Sequence, residues 1–166
     1  MTEALAIEWD DADFQAACRE AIGRAQDLTP LMRDIGEVLV ESTQRRFAAG
    51  VSPEGIPWQP LADGSGRTPL TVTGTLRDQI APEAGPDFVE ITASAKQARW
   101  HQEGTDPYAI KPSTPGGFLF WPGAAHPVRE VNHPGLPARP FLGVSAEDVD
   151  MIGKLAIEHL QAPFDG

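Results

Sequence analysis

Phe88-Val89-Glu90-Ile91-Thr92-Ala93 is the stretch that decides the fold class. Its β-branched and aromatic residues form one run flanked by turns, which reads as a strand and rules out an all-helical chain. Upstream, Thr73-Gly74-Thr75-Leu76-Arg77-Asp78-Gln79-Ile80 suggests a short helix started by Thr73 or Thr75. A short helix or strand is expected around Ala95–Gln102. Further upstream the pattern is helical. Asp10 is placed to cap a helix over Ala12–Gln26, with Phe14, Ala17, Cys18, Ala21 and Ile22 at helical spacing. Thr29 is the candidate cap of a second helix, with Pro30 at its first position. Leu31, Ile35, Val38, Leu39 and Ser42 continue one face, Arg45-Arg46 suit the C-terminal end of the dipole, and Gly50 is the stop.

Two segments break the periodicity. Residues 50–75 hold four prolines and five glycines, so a loop is expected, with Trp58 as an aromatic anchor. Residues 104–140 hold eight prolines and five glycines, and connections that long are functional or disordered. Tyr108, Phe118, Phe120 and Trp121 argue against disorder, and short strands are expected at Tyr108–Ile110, Phe118–Trp121 and Val128–Asn132. Such a stiff, aromatic arm has little to pack on in its own small domain, and a neighbouring subunit could supply that surface. The chain then closes on a helix. Ser145-Ala146-Glu147-Asp148 is a capping box, ahead of a stripe of Val149, Ile152, Leu155, Ala156, His159 and Leu160. The expected fold class is α+β: a small antiparallel sheet flanked by N-terminal helices and one C-terminal helix, with a long Pro/Gly-rich arm. The expected organisation is one domain over 1–166, divided into helices (1–49), loop (50–75), β-rich part with arm (76–144) and closing helix (145–162).

Charge narrows the function classes. Residues 1–41 carry ten acids against three bases, and 145–166 carry five acids against Lys154, whereas 42–144 are balanced at nine of each. Neither acidic end offers the clustered Lys and Arg that phosphate binding needs, so no sequence-specific nucleic acid is expected as a partner. No apolar run approaches the ~20 residues that cross a bilayer, so no membrane partner is expected. The acidic Met1-Thr2-Glu3-Ala4 start is not that of a signal peptide. Cys18 is the only cysteine, which excludes an intrachain disulfide and a thiolate cluster within one chain.

Chemistry-bearing constellations are weak. His101, His126 and His133 with Glu103 could in principle build a zinc site, but no HExxH or other close-spaced ligand pair is present, and hydrogen-bonding turn histidines are the simpler reading. Cys18 falls on an apolar helix face, where a thiol is commonly inert. Asp63-Gly64-Ser65-Gly66-Arg67 lacks the GK[ST] end of a phosphate loop. The acidic clusters sit at helix starts, where the macrodipole accounts for them. No catalytic residue, metal ligand or cofactor is expected.

Taken in order, five segments resemble the phage virion morphogenesis family, which includes the tail-completion (tail terminator-like) proteins of Mu-like phages. Ile35-Gly36-Glu37 with Ser42-Thr43-Gln44-Arg45-Arg46-Phe47 is similar to its opening helix. Ser52-Pro53-Glu54-Gly55-Ile56-Pro57-Trp58-Gln59-Pro60-Leu61 resembles its tryptophan loop, and Thr73–Ile80 its glycine–leucine element, through Gly74 and Leu76. His101-Gln102-Glu103-Gly104 resembles its histidine–glycine turn, and Pro137-Ala138-Arg139-Pro140-Phe141-Leu142-Gly143 its arginine–phenylalanine motif. One departure lies between Leu61 and Leu70, where Arg67 alone stands for a longer basic stretch.

The resemblance implies a structural, non-enzymatic ring subunit, a hexamer, of tail completion or head–tail joining. It would sit in the virion at the tail end or head–tail junction after assembly in the host bacterial cytoplasm. Its implied partners are further copies of itself and tail-tube or head–tail connector proteins, with the genome passing through the ring. Contact residues expected on this reading are Trp58, Tyr108, Phe118, Phe120, Trp121, Arg139 and Phe141, and Arg139 is expected to pair with an acid near the helix starting at Ser145. A neck or stopper protein at the portal, an acidic phage-encoded inhibitor and a metal-dependent hydrolase are the alternatives.

Overall fold

The computed structural model describes residues 11–165, which form two compact units. The first unit takes residues 11–42, 81–92 and 144–165. Helix α1 spans Ala12–Gln26 as its spacing predicts. Asp10 lies outside the described residues. Asp11 occupies the cap position, and its carboxylate accepts from Gln15 Nε2 at 2.8 Å and not from the helix backbone. The expected apolar face of α1 is a correction, because no residue of the helix is buried and Phe14 and Ile22 are exposed. Among the described residues α5 and the last turn of the chain pack on it: Phe14 meets the Phe164 ring at 6.4 Å, and Arg24 donates to the His159 carbonyl at 3.3 Å.

Helix α2, Thr29–Ala49, runs from this unit into the second. Its start differs from expectation. The Asp27 side chain accepts from the Thr29 amide at 3.0 Å, so the aspartate two residues earlier does the work assigned to Thr29. Leu31, Ile35 and Leu39 form a buried row at i, i+4, i+8, covered by Val89, Ile91, Ile152, Leu155 and Ala156. Full burial of each such side chain contributes about 1.5–3 kcal/mol. A Cβ on Gly36 would come within 2.9 Å of Pro82 and 3.2 Å of Val89, so a larger residue there would push the sheet off the helix. That sheet pairs β1 (Ile80–Ala84) with β2 (Val89–Ala93), the strand expected from sequence less its first residue. Pro82 hides β1 from sequence reading, yet both strands of a two-stranded sheet are edges, where a missing N–H is tolerated.

Helix α5, Ala146–Gln161, carries the complete capping box: Ser145 Oγ accepts from the Asp148 amide at 3.1 Å, and the Asp148 carboxylate from the Ser145 amide at 2.8 Å. Ile152, Leu155 and Ala156 face the core. Val149 and Leu160 do not, and stay exposed.

The second unit takes residues 43–80 and 93–143. After α2, Gly50 and Val51 both donate to the Arg46 carbonyl and end the helix. The tryptophan loop closes through a Val51–Pro57 bridge. Helix α3 is one turn, Thr75–Asp78, and α4 covers Ala98–Glu103. Residues 104–140 form an antiparallel ladder: Thr105 bridges Leu136, β3 (Tyr108–Ile110) pairs with β4 (Val131–His133), and Leu119 bridges Val128. Of the expected strands only Tyr108–Ile110 stands whole. Prolines 112, 115, 122 and 127 remove donors on both sides of the Leu119–Val128 bridge, so pairing there shrinks to one contact. The fold class is α+β as expected, with the strands divided between two small sheets.

Candidate functional site

The arginine–phenylalanine motif, residues 137–143, has no regular secondary structure, so its buried backbone groups need partners from elsewhere. Other motifs supply them. The Arg139 amide donates to the His101 carbonyl at 2.7 Å. Gln102 Oε1 accepts from the Phe141 and Leu142 amides at 3.0 Å each, and its Nε2 donates to the Leu142 carbonyl at 2.9 Å. Trp58 Nε1 donates to the Pro140 carbonyl at 2.8 Å. Arg46 Nη1 donates to the carbonyls of Phe141 and Gly143 at 3.2 and 2.8 Å. The strap is thus hydrogen-bonded by side chains from three separate segments. At its centre the Phe141 side chain is 0% exposed, 5.2 Å from the Phe47 ring, which in turn meets Trp58 edge-on at 5.6 Å.

Arg139 corrects an expectation. Its guanidinium donates to the carbonyls of Gln59 and Pro60, at 2.9 and 3.2 Å, and pairs with no acid among the described residues. It therefore ties the tryptophan loop to the strap, and as a buried cation satisfied by neutral carbonyls its pKa is lowered by burial. Gly104, at φ +76° and ψ −177°, ends α4 where a Cβ would stand 2.8 Å from both the Ala138 nitrogen and the Leu136 carbonyl oxygen. Beside it, burial and then the Arg139 charge lower the His101 pKa, so the ring is neutral, and its buried Nδ1 has no hydrogen-bond partner. His101 and Arg139 line a cleft of about 240 Å³ with Leu61, Leu70, Val72 and Leu76. Gly74 precedes α3 and so places Leu76 in the buried interior. Gly55 forms the turn that returns the chain to Trp58, and Pro137 leads into the strap from the ladder.

The expected contact residues thus fall in two groups. Trp58, Arg139 and Phe141 are buried in the strap junction. Tyr108, Phe118, Phe120 and Trp121 are exposed on the 104–140 ladder. Tyr108 stacks on His133 at 4.9 Å, and the Arg129 guanidinium lies 5.2 Å from the centre of the Phe118 ring. Phe120 and Trp121 line an apolar cleft with Ile110, Leu119 and Val131.

The histidines are dispersed in role. His133 Nδ1 accepts from the Gly135 amide at 3.0 Å, Glu103 pairs with Arg99 at 2.9 Å, and His126 is exposed. Among the described residues no group of three or more His, Cys, Asp or Glu side chains could hold a metal ion. Asp63 accepts from the Ser65 amide and Arg67, which holds its pKa down at about 2 and closes that glycine-rich loop on itself. No described helix is long and apolar enough to cross a membrane.

Sequence reasoning misses Arg46 and Gln102. Arg46 is assigned to the helix dipole, although it continues the buried side of α2 one turn beyond Thr43, and that continuation is the signal that finds it. Gln102 gives no signal beyond its place next to His101.

A strap held in this way, with three other motif segments meeting on it, defines a structural module. The model of the phage virion morphogenesis family matches residues 9–161, and the chain belongs to that family. It is 28% identical over 158 residues to tail completion protein S of Escherichia phage P2, covering 84% of this chain and 91% of that one. It is a structural phage protein that acts in tail completion. No solved structure matches it.

Proposed function

We propose that the protein is a ring subunit, a hexamer, that finishes the phage tail through contacts with its own copies and with tail-tube or connector proteins. The observation that carries this reading is the set of exposed aromatics on the 104–140 ladder, Tyr108, Phe118, Phe120 and Trp121. Phe120 and Trp121 share an apolar cleft with Ile110, Leu119 and Val131, and exposed apolar surface of this kind marks an interaction site. The strap junction serves as the rigid base of the ladder and carries out no catalysis. The acidic terminal segments, at ten acids against three bases and five against one, suit a channel wall that repels the DNA backbone as the genome slides through.

Light scattering over a concentration series tests the ring. A closed oligomer supports it, and assembly of unchanged size in Trp121→Ala would remove the ladder from the contact.

A further inference from the structure

The cleft beside the strap lies wholly within the second unit and combines apolar walls with positive charge. Leu61, Leu70, Val72 and Leu76 form the walls, His101 and Arg139 stand among them, and no acid lines the cleft. Arg139 is a buried cation whose Nε and Nη2 donate to neutral carbonyls, and its Nη1 has no hydrogen-bond partner among the described residues. A buried charge is stabilised by an opposite one, and the cleft offers an anion a place against it. The buried Nδ1 of His101 is unpartnered too, and a folded chain tolerates few such atoms.

The wall opposite is strained. Among the described residues Leu70 is the one non-glycine with a positive φ, +66°. For a bulky side chain this is a rare conformation, and such strain persists at ligand clamps where the surroundings hold it.

Size and chemistry narrow the ligand. At about 240 Å³ the cleft is smaller than the roughly 300–1,000 Å³ of sites for drug-sized ligands, so it has room for one residue and not for a coenzyme. Its apolar walls do not suit a bare phosphate. Only at a chain end do a large apolar side chain and a carboxylate belong to one residue.

We propose that the cleft captures the C-terminal residue of a partner chain, a leucine-sized side chain between Leu61, Leu70, Val72 and Leu76 and its carboxylate against Arg139. Such capture needs neither the ladder aromatics nor a ring.

NMR of the full chain tests it, with N-acetyl-leucine as the probe. His101 is the reporter: burial first and the Arg139 charge second lower its pKa, and a carboxylate against Arg139 offsets the second and raises it. The expected result is a saturable shift of the His101 ring signals and a higher His101 titration midpoint, with His126, His133 and His159 unmoved. N-acetyl-leucinamide, which keeps the side chain, and inorganic phosphate, which keeps the charge, are expected to bind about tenfold more weakly or worse. Val72 is exposed, so Val72→Trp is expected to keep the unfolding midpoint while it blocks the mouth and weakens N-acetyl-leucine about tenfold or more. The site is overturned if His101 shows no saturable shift, if the amide or phosphate binds as well as the acid, or if Val72→Trp binds like the parent. Tighter binding of N-acetyl-glutamyl-leucinamide than of N-acetyl-leucine overturns the chain end as ligand and assigns the cleft to an acidic residue within a segment.

Discussion

Arg46 Nη1 lies 2.8 Å from the Gly143 carbonyl and 3.2 Å from that of Phe141, so one buried cation closes the end of the strap. Hydrogen bonds to a charged donor contribute about 1.5–3 kcal/mol each, and removing the donor leaves the acceptors buried without a partner. Arg46→Met, which keeps the stem, is expected to destabilise the chain by about 2–4 kcal/mol. Arg46→Lys is expected to recover part of the loss, because an ammonium reaches one carbonyl more readily than two. Urea unfolding of the two variants beside the parent checks the order. Equal stability of parent and Arg46→Met would show that the contacts contribute nothing.

Gln102 offers a sharper comparison, since its amide uses both ends on the strap. Gln102→Glu keeps an acceptor for the Phe141 and Leu142 amides but sets an oxygen against the Leu142 carbonyl. Gln102→Leu loses all three bonds. Both are expected to lower stability by about 1–3 kcal/mol, with the leucine variant at the larger end because two buried amides lose their acceptor. Thermal unfolding at pH 7 is the measurement, and a leucine variant as stable as the parent would contradict it.

These two residues also show where the sequence stops being legible. Elements fixed by local rules were readable: α1 from its spacing, the Ser145–Asp148 box from its residues, and β2 from its β-rich run. Which face of α1 or α5 is covered was not, because burial depends on what packs opposite; Phe14 and Val149 have the right spacing and stay exposed. The site divided the same way. Trp58, Arg139, Phe141 and Gly104 were found as motif residues, but their partners are backbone carbonyls and amides far away in sequence, which no residue pattern encodes. Arg139 was assigned to an acid for that reason, when Gln59 and Pro60 carbonyls hold it.

His101 sets a pH dependence. Its folded-state pKa lies below the ordinary value of 6.5, through burial first and the Arg139 charge second. The unfolded chain therefore binds the proton more readily, and the contribution of the neutral ring is present above pH 6.5 and lost as pH falls through the lowered value. Stability of the parent is expected to fall more steeply between pH 7 and 5 than that of His101→Gln. Urea midpoints at several pH values provide the check, and parallel profiles would remove His101 from the account.

Gly104 and Gly55 share a φ of +76° and differ in their surroundings. A side chain at either position adopts a positive φ, at about 1–3 kcal/mol. At Gly55 a Cβ meets nothing within 4 Å, so Gly55→Ala is expected to cost only that amount. At Gly104 the same atom stands 2.8 Å from backbone atoms of Ala138 and Leu136, neither of which can swing aside as a side chain would. The ladder and strap must then shift, taking with them the Arg139–His101 backbone bond at 2.7 Å. Gly104→Ala is therefore expected to lower the unfolding midpoint well beyond Gly55→Ala and to speed proteolysis within residues 104–143. If the two alanine variants unfold together, the close approach of turn and strap contributes nothing to stability, and the histidine–glycine turn acts through its backbone angles alone.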